Sequence, residues 1–163
     1  MKKLMLVATM VLGFAGMSFA QLTANGSANL KLQIVTAMAM AVNGSVNFGS
    51  FATGTSGTES VAPASGAVFT VTGTPGASFS VTLPTSASLT DSTSTITFTP
   101  NLEASANGTS NSGTPSTGSV YTLNLSGTNS GKYFFLLGGS VDLAGTETAG
   151  AYSGTYTLTA TYN

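Results

Sequence analysis

From Thr23 to Ile34 small or apolar positions alternate with polar ones without a break. Ala24, Gly26, Ala28, Leu30, Leu32 and Ile34 share one face, and Thr23, Asn25, Ser27, Asn29, Lys31 and Gln33 share the other. Successive side chains of a strand point to opposite sides, so a period of two predicts a long, half-buried strand. The chain ends in the same way: Tyr152, Gly154, Tyr156, Leu158, Ala160 and Tyr162 alternate with Ser153, Thr155, Thr157, Thr159 and Thr161. Shorter signals lie between. Val46, Phe48 and Phe51 flank Gly49, Val68–Val71 and Phe79, Val81 and Leu83 follow, Ile96 and Phe98 precede Pro100, and Tyr121, Leu123 and Leu125 alternate. Tyr133–Leu137 is a continuous apolar run that Gly138-Gly139 is expected to end before Val141 and Leu143. In Gly73-Thr74-Pro75-Gly76-Ala77 a Pro followed by Gly fits the central positions of a type II turn, which predicts a hairpin-like pair from the flanking strands. Asn43-Gly44 and Gly127–Gly131 are further turn signals, and Gly54–Ser65 and Ala104–Gly118 read as loops. Seven to nine strands without a helical period predict an all-β sandwich or small barrel.

Composition sharpens this picture. The 163 residues suit one domain, at about 100–200 residues per domain. They include 27 Thr, 22 Ser and 20 Gly but only nine charged residues. β-Branched Thr suits strands, Ser and Gly suit turns, and the long charged helix formers are scarce. Low charge favours folding over disorder even though the core must be lean. The absence of His, Cys and Trp removes the imidazole base, thiol nucleophiles and the usual zinc sites, so no enzyme activity, metal or cofactor is expected. Four Lys cannot neutralise a phosphate backbone, so nucleic acid is not an expected partner.

Met1-Lys2-Lys3, the apolar run Leu4–Gly16 and Ser18-Phe19-Ala20 before Gln21 form the pattern of a Sec signal peptide over residues 1–20. Cleavage is expected between Ala20 and Gln21. The apolar run is shorter than the roughly 20 residues a spanning helix needs, and no membrane span is expected in the mature chain. A single domain is then expected over residues 21–163, in the periplasm, at the cell surface or outside the cell. Its charged residues are Lys31 and Lys132 against Glu59, Asp91, Glu103, Asp142 and Glu147.

No two of these five acids are brought together by the predicted elements, as paired-carboxylate chemistry requires. Asp91 reads as a turn residue and Asp142 as an outward strand residue; Lys132 reads as solvated at a strand start. No Gly-x-Ser-x-Gly elbow is present. Tyr152, Tyr156 and Tyr162 share one strand face, which suits core packing better than a sugar-stacking platform.

An unpaired edge strand invites aggregation, so each terminal strand needs a partner, in its own domain or in a neighbouring molecule by strand addition. Phe48-Gly49-Ser50-Phe51, the run from Phe69 through Pro75-Gly76-Ala77 into Val81-Thr82-Leu83-Pro84, and the ending Gly150 to Tyr162 resemble the bacterial secreted domain-of-unknown-function family 4402. That family is similar to spore-coat-U-like and fimbrial subunit domains, a resemblance that implies an immunoglobulin-like antiparallel sandwich. The ending also resembles the C-terminal signature of chaperone–usher pilins, with Gly150 and Tyr162 at the matching positions; many pilins carry a disulfide and this chain has no Cys. The expectation is a non-enzymatic exported surface or adhesion subunit. Its residues 22–35 are a candidate donor or first strand with the face Ala24, Ala28, Leu30, Leu32 and Ile34, and the C-terminal strand face is Gly150, Tyr152, Tyr156, Leu158 and Tyr162. Self-association by strand addition and a periplasmic chaperone are the partners this implies. A monomeric binding module for glycans is the alternative, and a small outer-membrane barrel a lesser one.

Overall fold

The computed structural model describes residues 27–109 and 113–163. The signal-peptide reading, with Ala20 and Gln21, and the first part of the N-terminal alternation, with Ala24, lie outside the described residues.

Residues 34–163 fold as an all-β unit of two antiparallel sheets packed as a sandwich. The nine strands are β1 (Ala39–Asn43), β2 (Ser56–Val61), β3 (Ala67–Thr72), β4 (Ser78–Thr82), β5 (Ala87–Thr90), β6 (Thr95–Ser105), β7 (Val120–Thr122), β8 (Lys132–Ala144) and β9 (Thr159–Tyr162). One sheet runs β1-β3-β8-β6-β5, with β2 also paired to β8; the other runs β7-β4-β9. Both sheets are open, so the described chain is a sandwich and not a closed barrel.

β8 is the axis of the larger sheet. The predicted stop at Gly138-Gly139 does not occur, and the strand runs for 13 residues through both glycines. The reason lies in the strand pairing. Val61 pairs with Gly139 and Ala67 with Leu137, so β2 and β3 lie end to end along one edge of β8 and the chain between them bulges outward. That bulge holds the 3-10 turn Pro63–Ser65. A side chain at residue 138 would put its Cβ 2.2 Å from the Val61 carbonyl oxygen and 2.5 Å from the Pro63 nitrogen. Glycine is required there because backbone passes directly over it. The Gly54–Ser65 stretch, read as a loop, is therefore β2 and this turn.

Other expectations also change. β3 and β4 are not a hairpin: the Thr74-Pro75-Gly76-Ala77 turn forms as predicted, with Gly76 at φ 76° and Ala77 N–H bonded to the Thr74 carbonyl at 3.1 Å, but it carries the chain from one sheet to the other. β6 does not stop before Pro100; it continues to Ser105. Proline is tolerated because β5 pairs only with residues 95–98, leaving Pro100 with a ladder on the β8 side alone. The predicted loop at 104–118 consequently starts later, and Ala104 and Ser105 are buried. Of Tyr121, Leu123 and Leu125, only Tyr121 lies in a strand, β7; Leu123 is buried beyond its end and Leu125 is exposed.

The core joins both sheets. Phe79 of β4 meets Tyr121, Tyr133 and Phe135 with ring centroids 5.7, 5.8 and 6.3 Å apart. Phe48 and Tyr156 pack edge-on against Phe98, and Tyr156 also against Phe69. Edge-to-face geometry matches positive ring edges to negative ring faces, so these contacts fix the spacing of the two layers.

Candidate functional site

The part of the N-terminal alternation that is described, from Ser27 onward, forms no strand. Residues 27–38 carry no ladder, and the first strand begins at Ala39. Ala28 is exposed, as are Leu30, Leu32 and Ile34 at 95%, 87% and 86%. A period-two pattern makes a strand only when another backbone supplies its hydrogen bonds, and among the described residues none does. Thr36 is held at the end of this stretch. Its N–H donates to Thr74 Oγ1 at 2.6 Å, and its carbonyl accepts from the Tyr162 hydroxyl at 2.9 Å.

At the other terminus the expected long strand is mostly unpaired as well. Only Thr159–Tyr162 joins a ladder, beside β4. Ser153 makes an isolated bridge with Thr90 of β5, and the chain then crosses to the second sheet. Across 154–158 the side chains still alternate, with Tyr156 and Leu158 turned to the core and Thr155 and Thr157 exposed. The tyrosine face is thus core-packed, as the alternation suggested. Tyr156 donates to the Pro84 carbonyl and Tyr152 to the Thr148 carbonyl, at 3.0 and 3.1 Å. Burial pushes the Tyr156 phenol above its ordinary range. Gly150 is not in a strand; it lies against Asp91, where a Cβ would stand 2.4 Å from Oδ2.

Residues 45–48 behave similarly. Val46 and Phe48 pack against the core while Ser45 and Asn47 are exposed. Among the described residues, the backbone of 45–48 and of 154–158 makes no hydrogen bond to other backbone groups. The two segments face one another across adjoining cavities of about 250 and 650 Å³. The smaller has an apolar floor of Ala67, Phe69, Ala87, Leu89, Phe98 and Leu137, with Val46 and Phe48 on one side and Gly154 and Tyr156 on the other. The larger extends it between residues 46–55 and 147–154. Sequence reasoning missed this cleft, because it arises from what the second sheet lacks. The signal was present in the alternation of Val46 and Phe48, but nothing in the pattern says whether a strand has neighbours.

The charged groups serve the loops. Asp91 Oδ1 accepts from the N–H groups of Thr93 and Ser94 at 2.7 and 2.6 Å. The Thr93 amide above all, then that of Ser94, holds this carboxyl below its ordinary range. Glu147 accepts from the Ala144 and Gly145 amides at 2.6 and 2.9 Å and is lowered likewise, chiefly by Ala144. Asp142 is exposed on β8 and accepts from the Thr58 hydroxyl. Lys132 begins β8, half-buried. Among the described residues no three acids gather as a metal site would require, and no helix is long and apolar enough to cross a membrane.

The sequence matches the family described as Domain of unknown function (DUF4402) over residues 10–162. The chain belongs to the DUF4402 family. No curated protein matches it. Membership covers both terminal segments and the whole sandwich, so the unpaired segments and the cleft lie within the domain that defines the family.

Proposed function

We propose that this DUF4402 chain is an exported, non-enzymatic structural or adhesion subunit of the bacterial surface, similar in its mode of assembly to fimbrial and spore-coat-U-like domains, that joins its neighbours by β-strand addition. The observation that carries this reading is the N-terminal segment, in which Leu30, Leu32 and Ile34 alternate with polar residues and stand exposed. Exposing three large apolar side chains in a row costs about 1.5–3 kcal/mol each relative to burial, so a partner surface is the natural destination. Export rests on the leader-like residues 1–20. A segment of this kind needs cover before assembly, which makes a periplasmic chaperone a fitting partner.

The test is light scattering after size-exclusion chromatography, with negative-stain microscopy, on residues 21–163 and on a form lacking residues 21–35. Filaments or ladders that vanish with the truncation support the proposal; a monomer at every concentration overturns it. A second reading makes the chain a monomeric glycan-binding module, because the larger cavity falls in the range of about 300–1,000 Å³ usual for small-ligand sites. Tyr152 lines that cavity, but it is partly buried against the core, as are Tyr156 and Tyr162, which limits the ring face left for stacking. A glycan array with no bound member removes it.

A further inference from the structure

We propose that the peptide bond between Lys31 and Leu32 is a processing site for a trypsin-like serine endoprotease, which cuts the exported chain there and releases the residues that precede Leu32. The reaction consumes one water: its hydroxyl goes to the Lys31 carbonyl carbon, its proton to the Leu32 nitrogen, and a new N-terminus forms at Leu32. Only the consequence for assembly rests on the strand-addition reading above.

Access to the backbone comes first. A protease of this class binds its substrate as an extended strand on both sides of the bond it cuts, so a stretch already held in a ladder must open before it can be cut. Residues 27–37 are exposed throughout and carry no ladder. Leu30 and Leu32, which flank Lys31, are 95% and 87% exposed. Both sides of the bond are thus open to such binding. The sandwich unit begins at Ile34, so the cut leaves all nine described strands on one fragment.

Residue chemistry then selects the bond. Such enzymes hold a Lys or Arg side chain against a carboxylate in their specificity pocket. The sequence has no Arg and four Lys, of which Lys2 and Lys3 belong to the leader-like residues 1–20. Lys31 and Lys132 remain, and among the described residues Lys31 is the one exposed lysine. Lys132 begins β8, half-buried and paired with Thr72. Its N–H donates to the Asn129 carbonyl at 2.9 Å and its carbonyl accepts from the Asn124 N–H at 3.2 Å, while Tyr133, next in sequence, packs against the core. Cutting after Lys132 therefore means opening the central strand of the larger sheet, and cutting after Lys31 opens nothing.

The neighbours of Lys31 raise no obstacle. Residues 21–35 hold no acid to repel the pocket's carboxylate and no Pro to stiffen the backbone, and the first acid of the chain is Glu59. The cut also falls inside the alternating face. Ala28 and Leu30 leave with the released piece, and only Leu32 and Ile34 stay with the sandwich. A cut chain is thereby retired as a strand donor while its sandwich persists. Pairing of residues 28–34 in an assembly closes the same bond to the enzyme, so the site acts on unassembled chains.

Native mature protein treated with dilute trypsin and followed by intact mass gives the first readout. Cleavage after Lys31 is expected to leave one stable fragment, residues 32–163, with the melting temperature of uncut protein, and to run about a thousandfold or more ahead of cleavage after Lys132. Lys31→Gln should abolish the early cut and Lys31→Arg should keep it. Comparable rates at the two lysines would overturn the site. The second readout comes from bacteria exporting the full chain, by the N-terminus of the protein recovered from their surface and medium. A species beginning at Leu32 is expected for the wild type and for Lys31→Arg, and none for Lys31→Gln or in the presence of benzamidine, which fills a Lys/Arg pocket. If no recovered chain begins at Leu32, processing is overturned whatever trypsin does to the purified protein. Light scattering on cut and uncut protein keeps the assembly reading separate. Loss of association on cutting supports retirement of the donor, and undiminished association overturns that consequence while the site stands. If neither form associates, strand addition falls and the two cleavage readouts still decide the site.

Discussion

Phe79 and Asp91 show the two kinds of work that single residues do in this molecule. Phe79 and Phe135 are fully buried and meet edge to face across the sandwich. A chain with this little large apolar surface leans on such contacts. Phe79→Ala removes a ring that touches Tyr121, Tyr133 and Phe135, and a large-to-small change of this type costs about 3–5 kcal/mol. Against a typical total of about 5–15 kcal/mol, the variant should unfold at a much lower urea concentration with an unchanged slope. An unaltered midpoint would mean the aromatic cluster is not what holds the layers. Asp91 works at the surface, where its carboxylate gathers two backbone amides that the turn leaves free. With Glu147 it titrates below its ordinary value, 3.8 for Asp and 4.5 for Glu. Each binds fewer protons folded than unfolded, so the stability they contribute is complete above about pH 5, declines once pH drops below the ordinary carboxyl values and is lost as it falls through the lowered folded ones. Thermal melts should be level from neutrality to about pH 5 and fall below it. Asp91→Asn should lower the melting temperature at neutral pH and soften the acid decline. A decline of equal steepness in the variant would separate Asp91 from the effect.

Elements obey a different logic, because a strand is a relation between two stretches of chain. The sequence displayed most of the apolar runs, the Pro75-Gly76 turn and the inward tyrosines, since each depends only on local spacing or local φ preference. It did not display pairing. Gly138-Gly139 looks like a terminator by composition, yet β8 passes through it because a 3-10 turn lies over residue 138 and only a glycine leaves the room. Residues 28–34 look like a strand and form none, since among the described residues no backbone pairs with them. Gly54–Ser65 looked like a loop because its side chains are small and polar, although its backbone pairs with β8. The close approach at residue 138 gives a direct test. Gly138→Ala sets a methyl 2.2 Å from one backbone oxygen and 2.5 Å from a backbone nitrogen, neither of which can rotate away. Overpacking of this kind costs about 1–3 kcal/mol, sometimes more. Loss of stability is expected together with faster hydrogen exchange in Val61–Ala67, the bulged connection. If exchange there were unchanged, the bulge would not be the part that yields.

For the whole molecule the distribution of pairing matters more than its amount. β8 has partners along both edges, β3 and β2 on one and β6 on the other. The second sheet, with three short strands, ends at β9, and the stretch leading into β9 has none. The second sheet is thus the less complete of the two, and residues 28–34 have the alternation of a strand but, among the described residues, no ladder. Amide exchange reports this directly, since protection follows hydrogen bonding and burial. In dilute monomer, Phe134–Val141 should exchange slowest, while residues 28–34, 45–48 and 154–158 exchange at rates near those of an unstructured chain. At concentrations that give assemblies, residues 28–34 should become protected by at least tenfold, with β8 unchanged. Absence of that gain would mean that assembly does not run through them, and strong protection of 154–158 already in the monomer would mean that the second sheet is complete within one chain.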